Sequence, residues 1–290
     1  MRVPLTTADL LRAARRLFDE GRPAEALRPA SAALATVDGD SPRAAIIHVA
    51  LSEIHERLSR YDDAERHARE AVRLATGRSR IHALAALAVV ERVRGHYDRA
   101  EERYREALGL ATDEKAALLC GLGVVYKDAR RHDDAETAYR QALDLIGPDE
   151  PAAASVWHNL GGLDHARGRY AEGEPHARRS VALRERALGP DHPTVAADRA
   201  ALASLLAGQR RFDEATTLYE QALDVFERVY PPDHYDFAVT YNDLGVVLAA
   251  QGRTARARDL YEKALAIKRR LLGPDHPDTA RTVRNLAALR

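Results

Sequence analysis

Cysteine is almost missing from this chain. Cys120 is the only one, which excludes an internal disulfide and a cysteine-rich zinc site. No charge sign dominates: 44 Lys and Arg balance 44 Asp and Glu. A binder of DNA, RNA or an anionic membrane should carry a basic excess, so nucleic acid and membrane are not the expected partners. No run of about 18 apolar residues is present, so no membrane span is expected. The opening Met1, Arg2, Val3 and Pro4 lacks the apolar core of a signal peptide. The expected location is cytoplasmic. Lysine is also scarce, limited to Lys115, Lys127, Lys263 and Lys268. The other basic residues are arginine, which points to a GC-rich bacterial genome.

Aromatic residues make up only 6% of the 290 residues, as 11 Tyr, four Phe and one Trp. Alanine and leucine must therefore fill the interior, and that favours closely spaced helices over sheets. No stretch alternates like a strand, while single Gly and Pro residues punctuate alanine-rich helical runs. Gly121, Leu122 and Gly123 lie inside one such run and lead into Val124, Val125 and Tyr126. No glycine-rich phosphate loop exists elsewhere, so no nucleotide or other cofactor is expected.

The chain repeats itself. The pattern Gly-x-Tyr-x-x-Ala, followed by an aromatic or Ala four residues on and then Ala-Leu, recurs throughout. One copy reads Gly95, Tyr97, Ala100, Tyr104, Ala107, Leu108, and others read Phe212, Ala215, Tyr219, Ala222, Leu223 and Gly252, Ala257, Tyr261, Ala264, Leu265. The key small residue falls at Ala26, Ala64, Ala100, Ala135, Gly173, Ala215 and Ala257, giving periods of 38, 36, 35, 38, 42 and 42. Upstream of the pattern sits a second signature, Trp157, Leu160, Gly161 in one copy and Tyr241, Leu244, Gly245 in another. Each copy is predicted to be two antiparallel helices, A and B, turning at the glycine. Small residues such as Gly123 and Ala135 would let the backbones approach, and Leu122, Tyr126 and Tyr139 would fill the gaps. A single hairpin cannot bury its own apolar face, so the copies must stack. Thr6 with Asp9 forms a capping-box pattern, and Pro193 and Pro277 suit first helical turns.

This pattern resembles the tetratricopeptide repeat family over essentially the whole chain. The last three copies look like the longer kinesin-light-chain type. They carry Glu174 and Pro175, then Leu188-Gly-Pro-Asp-His-Pro193, Tyr230-Pro-Pro-Asp-His234 and Leu272-Gly-Pro-Asp-His-Pro277. Longer B helices and a Gly-Pro stop would account for the 42-residue period, with His192, His234 and His276 capping or stabilising turns. The expected fold is an all-α, right-handed solenoid forming one array over 1–290. Its helix pairs are expected at 7–38, 42–76, 79–111, 113–147, 151–189, 192–230 and 234–272, with a capping helix at 277–290. Length alone would suggest about two domains, but contacts in such an array are local.

The resemblance implies that helix A lines a concave face. Aligning the copies places Arg15, Phe18, Glu53, Glu56, Arg57, Arg92, Cys120, Lys127, His158, Asn159, His165, Ser204, Asn242, Asp243, Arg284 and Asn285 inward. From this set, Arg92, Lys127, His158, Asn159, His165, Asn242, Asp243, Arg284 and Asn285 are the expected peptide-binding groove. Side-chain amides at Asn159, Asn242 and Asn285 can donate to and accept from a peptide backbone at once. Ala200 and Ala201 interrupt that ladder.

The expected function is a non-enzymatic interaction scaffold that holds a peptide or extended protein segment. A ligand-responsive regulatory sensor acting through a partner protein is the alternative, and an enzyme using groove residues is the remote one. Cys120 and His158 occupy equivalent positions on successive A helices, but an intervening B layer should keep such positions apart. His158 and His165, with Asp164, lie two turns apart, too far to share a metal ion easily. No catalytic or metal residue is therefore assigned. Self-association through Pro4, Leu5, Leu10, Leu11 and Phe18 is a further expectation.

Overall fold

The structure is a computed structural model and describes residues 5–289. Pro4 therefore lies outside the described residues, as does the last position of the expected cap, Arg290. Among the described residues there are α-helices, one short 3₁₀ turn and no strands. By contacts the chain divides into two compact units, Met1–Leu145 and Ile146–Arg290.

The N-terminal unit holds α1 (Thr7–Asp19), α2 (Pro23–Leu34), α3 (Pro42–Arg57), α4 (Tyr61–Leu74), α5 (Arg78–Val93), α6 (Tyr97–Leu110), α7 (Lys115–Asp128) and α8 (His132–Ile146). The C-terminal unit holds α9 (Ala154–Ala166), α10 (Tyr170–Leu188), α11 (Pro193–Gly208), α12 (Phe212–Val229), α13 (Tyr235–Ala250), α14 (Thr254–Leu272) and α15 (Pro277–Ala287). Odd-numbered helices are the A members and even-numbered ones the B members. Within a unit, a B helix packs on its own A helix and on the next one. Some A helices also touch directly, as α3 does α5 and α9 does α11. The expectation that a B layer separates successive A helices is corrected by these contacts. The stack is staggered, so A helices form a layer of their own.

The A-to-B turns have a common chemistry. Gly21, Ser59, Gly95, Arg130, Gly168, Arg210 and Gly252 all adopt positive φ, between 57° and 78°. The next residue's N–H reaches back five residues, as Arg60 does to the His55 carbonyl and Arg211 to the Leu206 carbonyl. This is the left-handed helix stop in which a residue at positive φ lets orphan carbonyls be satisfied. Glycine suits that conformation, yet Ser59, Arg130 and Arg210 adopt it as well. The glycine expected at every turn is thus replaced at three of them by residues held there by the flanking helices.

The helices begin and end as their sequences suggest. Thr6 accepts from the Asp9 N–H at 3.2 Å, and the Asp9 carboxylate accepts from the Thr6 N–H at 3.0 Å, a complete capping box. His192, His234 and His276 each accept, through Nδ1, a backbone N–H two residues on, at 3.2, 3.3 and 3.2 Å. The B helices α10, α12 and α14 run 19, 18 and 19 residues, against 12 to 15 in α2, α4, α6 and α8. Gly189 and Gly273 end α10 and α14.

Alanine makes the packing close. Ala26, Ala64, Ala100, Ala135, Ala215 and Ala257 are fully buried. Gly123 works differently from what was expected of it. A Cβ there would fall 2.4 Å from the Tyr139 ring, and one on Gly245 would fall 2.7 Å from Tyr261. These glycines accommodate a tyrosine ring. Gly161 and Gly173 are the ones that face backbone: the Ala177 nitrogen lies 3.4 Å from the notional Cβ of Gly161, and the Gly161 carbonyl oxygen 3.2 Å from that of Gly173.

Candidate functional site

In the C-terminal unit the register of the A helices decides which side chains are equivalent. Pro193, Tyr235 and Pro277 open α11, α13 and α15 at intervals of 42 residues. His158, Ala200, Asn242 and Arg284 therefore form one row, and Asn159, Ala201, Asp243 and Asn285 the next. Asn242 does not share a row with Asn159 and Asn285. Asn242 is nonetheless 2% exposed, buried by contact with α15, whereas His158 in the same row is partly open and Arg284 is exposed. Its Oδ1 accepts from Thr282 Oγ1 at 3.1 Å and from Asn285 Nδ2 at 3.0 Å, and its Nδ2 donates to Asp243 at 2.9 Å. The expectation of an exposed, peptide-facing amide at Asn242 is corrected. That amide joins α13 to α15, and packing uses three of its four hydrogen-bonding positions. Asn285 is brought to it and is half-buried, Asn159 is half-buried on α9, and Arg284 is exposed.

Beneath this network Lys268 is fully buried on α14 and donates to Thr282 Oγ1 at 3.0 Å. Burial lowers its pKa, opposed by Asp278 and Asp243. Asp243 is pushed the other way: burial raises its pKa, while the Asn242 hydrogen bond and the charges of Arg281, Lys268 and His165 pull it down.

A second polar cluster was not anticipated. His158 Nδ1 lies 2.7 Å from Asp198 Oδ1, bridging α9 and α11. Ser180, on α10, donates to Asp198 Oδ2 at 2.6 Å. Arg184 brings Nε to 2.7 Å of that oxygen at an angle that forms no hydrogen bond, so the contact is an ion pair. Asp198 is 2% exposed, and the His158 side chain keeps 38% of its surface open. The sequence signal was present: Asp198 sits in the row of Thr240 and Thr282, where a charge is out of character, and Arg184 sits in the row of Phe226 and Lys268. Ser180 directs its one hydrogen at Asp198 and the Ala154 carbonyl, and not at the imidazole, unlike a base-activated nucleophile.

His158 and His165 line a hollow of about 180 Å3 with Gly162, Ala201 and Ser204. Ser204 Oγ is 2.8 Å from the Tyr219 hydroxyl. His165 stacks edge-on with Tyr170, ring centroids 5.3 Å apart. Asp164, weighed as a metal ligand with the two histidines, instead pairs with His176 Nδ1 at 2.9 Å. Among the described residues no group of three or more His, Cys, Asp or Glu is arranged to hold a metal ion, and no helix is long and apolar enough to cross a membrane.

In the N-terminal unit Arg92 is ion-paired to Asp128 at 2.6 Å, linking α5 to α7, with Lys127 and Cys120 half-buried on α7. Leu10, Leu11 and Phe18 are partly buried against the core of the first helix pairs, and Leu5 is exposed. A larger cavity, of about 550 Å3, opens among α1, α3 and α5. Glu53, Glu56 and Phe18 were expected to face inward and do line it.

Three models described as tetratricopeptide repeat match the chain, at 11–79 and 85–151, at 152–228 and at 237–278. No curated protein matches it. Among solved structures, a tetratricopeptide repeat protein from Parabacteroides merdae ATCC 43184 is 18% identical, with a TM-score of 0.62 and 98% of each chain covered. The APC/C hetero-tetramer Cut9-Hcn1 aligns with a TM-score of 0.68 and 16% identity over 95% of this chain, which spans about half (48%) of that one. BtubC (BKLC) from P. vanneervenii aligns at 0.58 and 21% identity, over 77% of this chain and 93% of that one. At these identities the structures speak to the fold alone, a stacked helical-repeat solenoid. The chain belongs to the tetratricopeptide repeat family, whose members generally serve as protein-interaction scaffolds.

Proposed function

We propose that this chain is a non-enzymatic interaction scaffold and that the A-helix layer of its C-terminal unit holds an extended segment of a protein partner. The observation that carries the reading is the pinned His158 ring. A carboxylate accepts hydrogen bonds and does not donate them, so His158 Nδ1 carries the hydrogen that faces Asp198. Nε2, the ring's other nitrogen, is then left for a partner beside the hollow that Ser204 and His165 also line. A fixed ring nitrogen suits a peptide backbone group, and Ser204, whose hydrogen is engaged by the Ala200 carbonyl or the Tyr219 hydroxyl, keeps a lone pair that suits a peptide N–H. Arg284 lies exposed on α15 for an acidic group of the partner. Asn242 serves by anchoring α15 and not by contact.

The test begins with capture of a partner by the full chain, followed by calorimetry. Substituting His158→Ala or Ser204→Arg should weaken binding about ten-fold or more, the loss expected for a centrally placed contact, with helical content unchanged. Unaltered affinity in both variants would refute the assignment.

A further inference from the structure

We infer that the cavity among α1, α3 and α5 is a second binding site, and that it takes an extended peptide segment whose large apolar side chain is followed or preceded, two or four residues away, by Lys or Arg. This rests on the reading of the chain as an interaction scaffold, but it concerns a different unit and a different ligand chemistry.

One wall of the cavity is apolar. Ile46 and Val49 on α3 face it together with Phe18 of α1 and Ala85 of α5. Ile46 is 54% exposed, a large aliphatic surface left open to water within a concavity, where a ligand would gain most by covering it. The room exists because α5 presents alanine where a larger residue would close the gap.

The other end of the same α3 face carries Glu53 and Glu56. Glu53 meets Arg15 only at 3.4 Å, longer than a strong charge-assisted contact, and Arg15 is shared with Asp19 at 3.1 Å. Glu56 forms no ion pair among the described residues. The other basic groups at the cavity are engaged or weakly basic: Arg78 pairs with Glu114, Arg57 sits over the Phe18 ring at 5.5 Å, and His82 lines the wall on α5. Burial raises the Glu53 pKa, which a cationic guest would reverse. The pocket thus offers an apolar floor beside a carboxylate pair still able to take a cation.

The spacing follows from helix geometry. The midpoint of Ile46 and Val49 lies seven residues from that of Glu53 and Glu56, about 10 Å along the helix. An extended peptide advances about 3.3 Å per residue and returns to the same face every second residue. Side chains two or four residues apart bracket that distance, and the long stem of Lys or Arg takes up the difference.

The probe is a synthetic library of nine-residue Gly/Ser peptides carrying one Leu, Phe or Trp and one Arg, Lys, Glu or Gln at every spacing, read out with the full chain. The expected binders pair an apolar residue with Arg or Lys at spacings of two or four. Glu53→Gln with Glu56→Gln should lower their affinity about ten-fold toward that of the Gln peptides, the size of a lost charge pair. Ala85→Phe should abolish binding by filling the cavity, with the melting profile confirming a folded chain. A preference for Glu peptides, absence of binders, or a basic preference that survives the double variant overturns the inference. So does occupation of the cavity by a second copy, seen as concentration-dependent mass in light scattering that Ala85→Phe removes. Binders indifferent to Ala85→Phe but lost in His158→Ala would support the C-terminal site and overturn this one.

Discussion

His158 Nδ1 and Asp198 Oδ1 lie 2.7 Å apart, although forty residues separate them in the chain. The pair joins two successive A helices, and it places a buried carboxylate between an imidazole, the Ser180 hydroxyl and the Arg184 guanidinium. Removing the carboxylate leaves Arg184, mostly buried, without its counter-charge. Asp198→Ala should therefore destabilise the chain by about 3 kcal/mol, the usual consequence of breaking a buried ion pair from one side. His158→Ala, whose ring is partly open to water, should cost about 1 kcal/mol. Chemical denaturation of the two variants checks the order, and equal costs would contradict it.

Three histidines give the N-terminal unit an acid-sensitive seam. His48 and His67 place their Nδ1 atoms 2.8 Å apart between α3 and α4, and the His55 ring stacks on His67 with centroids 5.4 Å apart. One of the two facing nitrogens must donate and the other accept, so both rings cannot be charged. Burial, then the neighbouring His48 and His55, push the His67 pKa down to about 4. Asp63 and Glu70 face the cluster and favour protonation, while Arg60, Arg66 and Arg73 oppose it. The folded pKa lies below the unfolded value of about 6.5, so the unfolded chain binds more protons between those limits. Stability is therefore complete above about pH 6.5 and falls as pH drops toward 4, by at most about 3 kcal/mol from His67. Denaturation midpoints measured across that range in the native chain and in His67→Leu check the slope, which should shrink in the variant.

Arg210 occupies a turn at φ 64°, a conformation that glycine adopts without steric penalty. Arg210→Gly should stabilise the chain by about 0.5–1 kcal/mol, the left-handed strain relieved less the extra chain entropy of glycine. A rise in the thermal midpoint is the expected reading.

Gly123→Ala should act in the opposite sense. The added methyl meets the ring of Tyr139, which is fully buried and has nowhere to move. Overpacking of this kind costs about 1–3 kcal/mol, and a companion Tyr139→Phe should not rescue it, because the clash is with ring carbons. Denaturant titration of the single and double variants decides this.

What could be read from the sequence was local. The periods of 35 to 42 residues, the capping box at Thr6, the Asp-His caps before α11, α13 and α15, and the glycine stops after α10 and α14 each depend on a few neighbouring residues. The repeat family and the helical-repeat fold follow from them, because a hairpin with one apolar face must stack. The inward placement of Glu53 and Glu56 was readable for the same reason.

Tertiary structure decided the partners of the polar residues. Asn242 shares its register position with the partly open His158 and the exposed Arg284, yet contact with α15 takes its amide into the seam. Asp198, Ser180 and Arg184 come from two helices, and His158 from a third, so no local pattern announces their meeting. The cavity on α3 exists because α1 and α5 set their small and aromatic side chains at particular heights against it. That these helices form and stack follows from local residue pattern. Only the packed structure decided which charges are saturated within the stack and which are left for a partner, since that depends on distances between helices that hairpin chemistry does not specify.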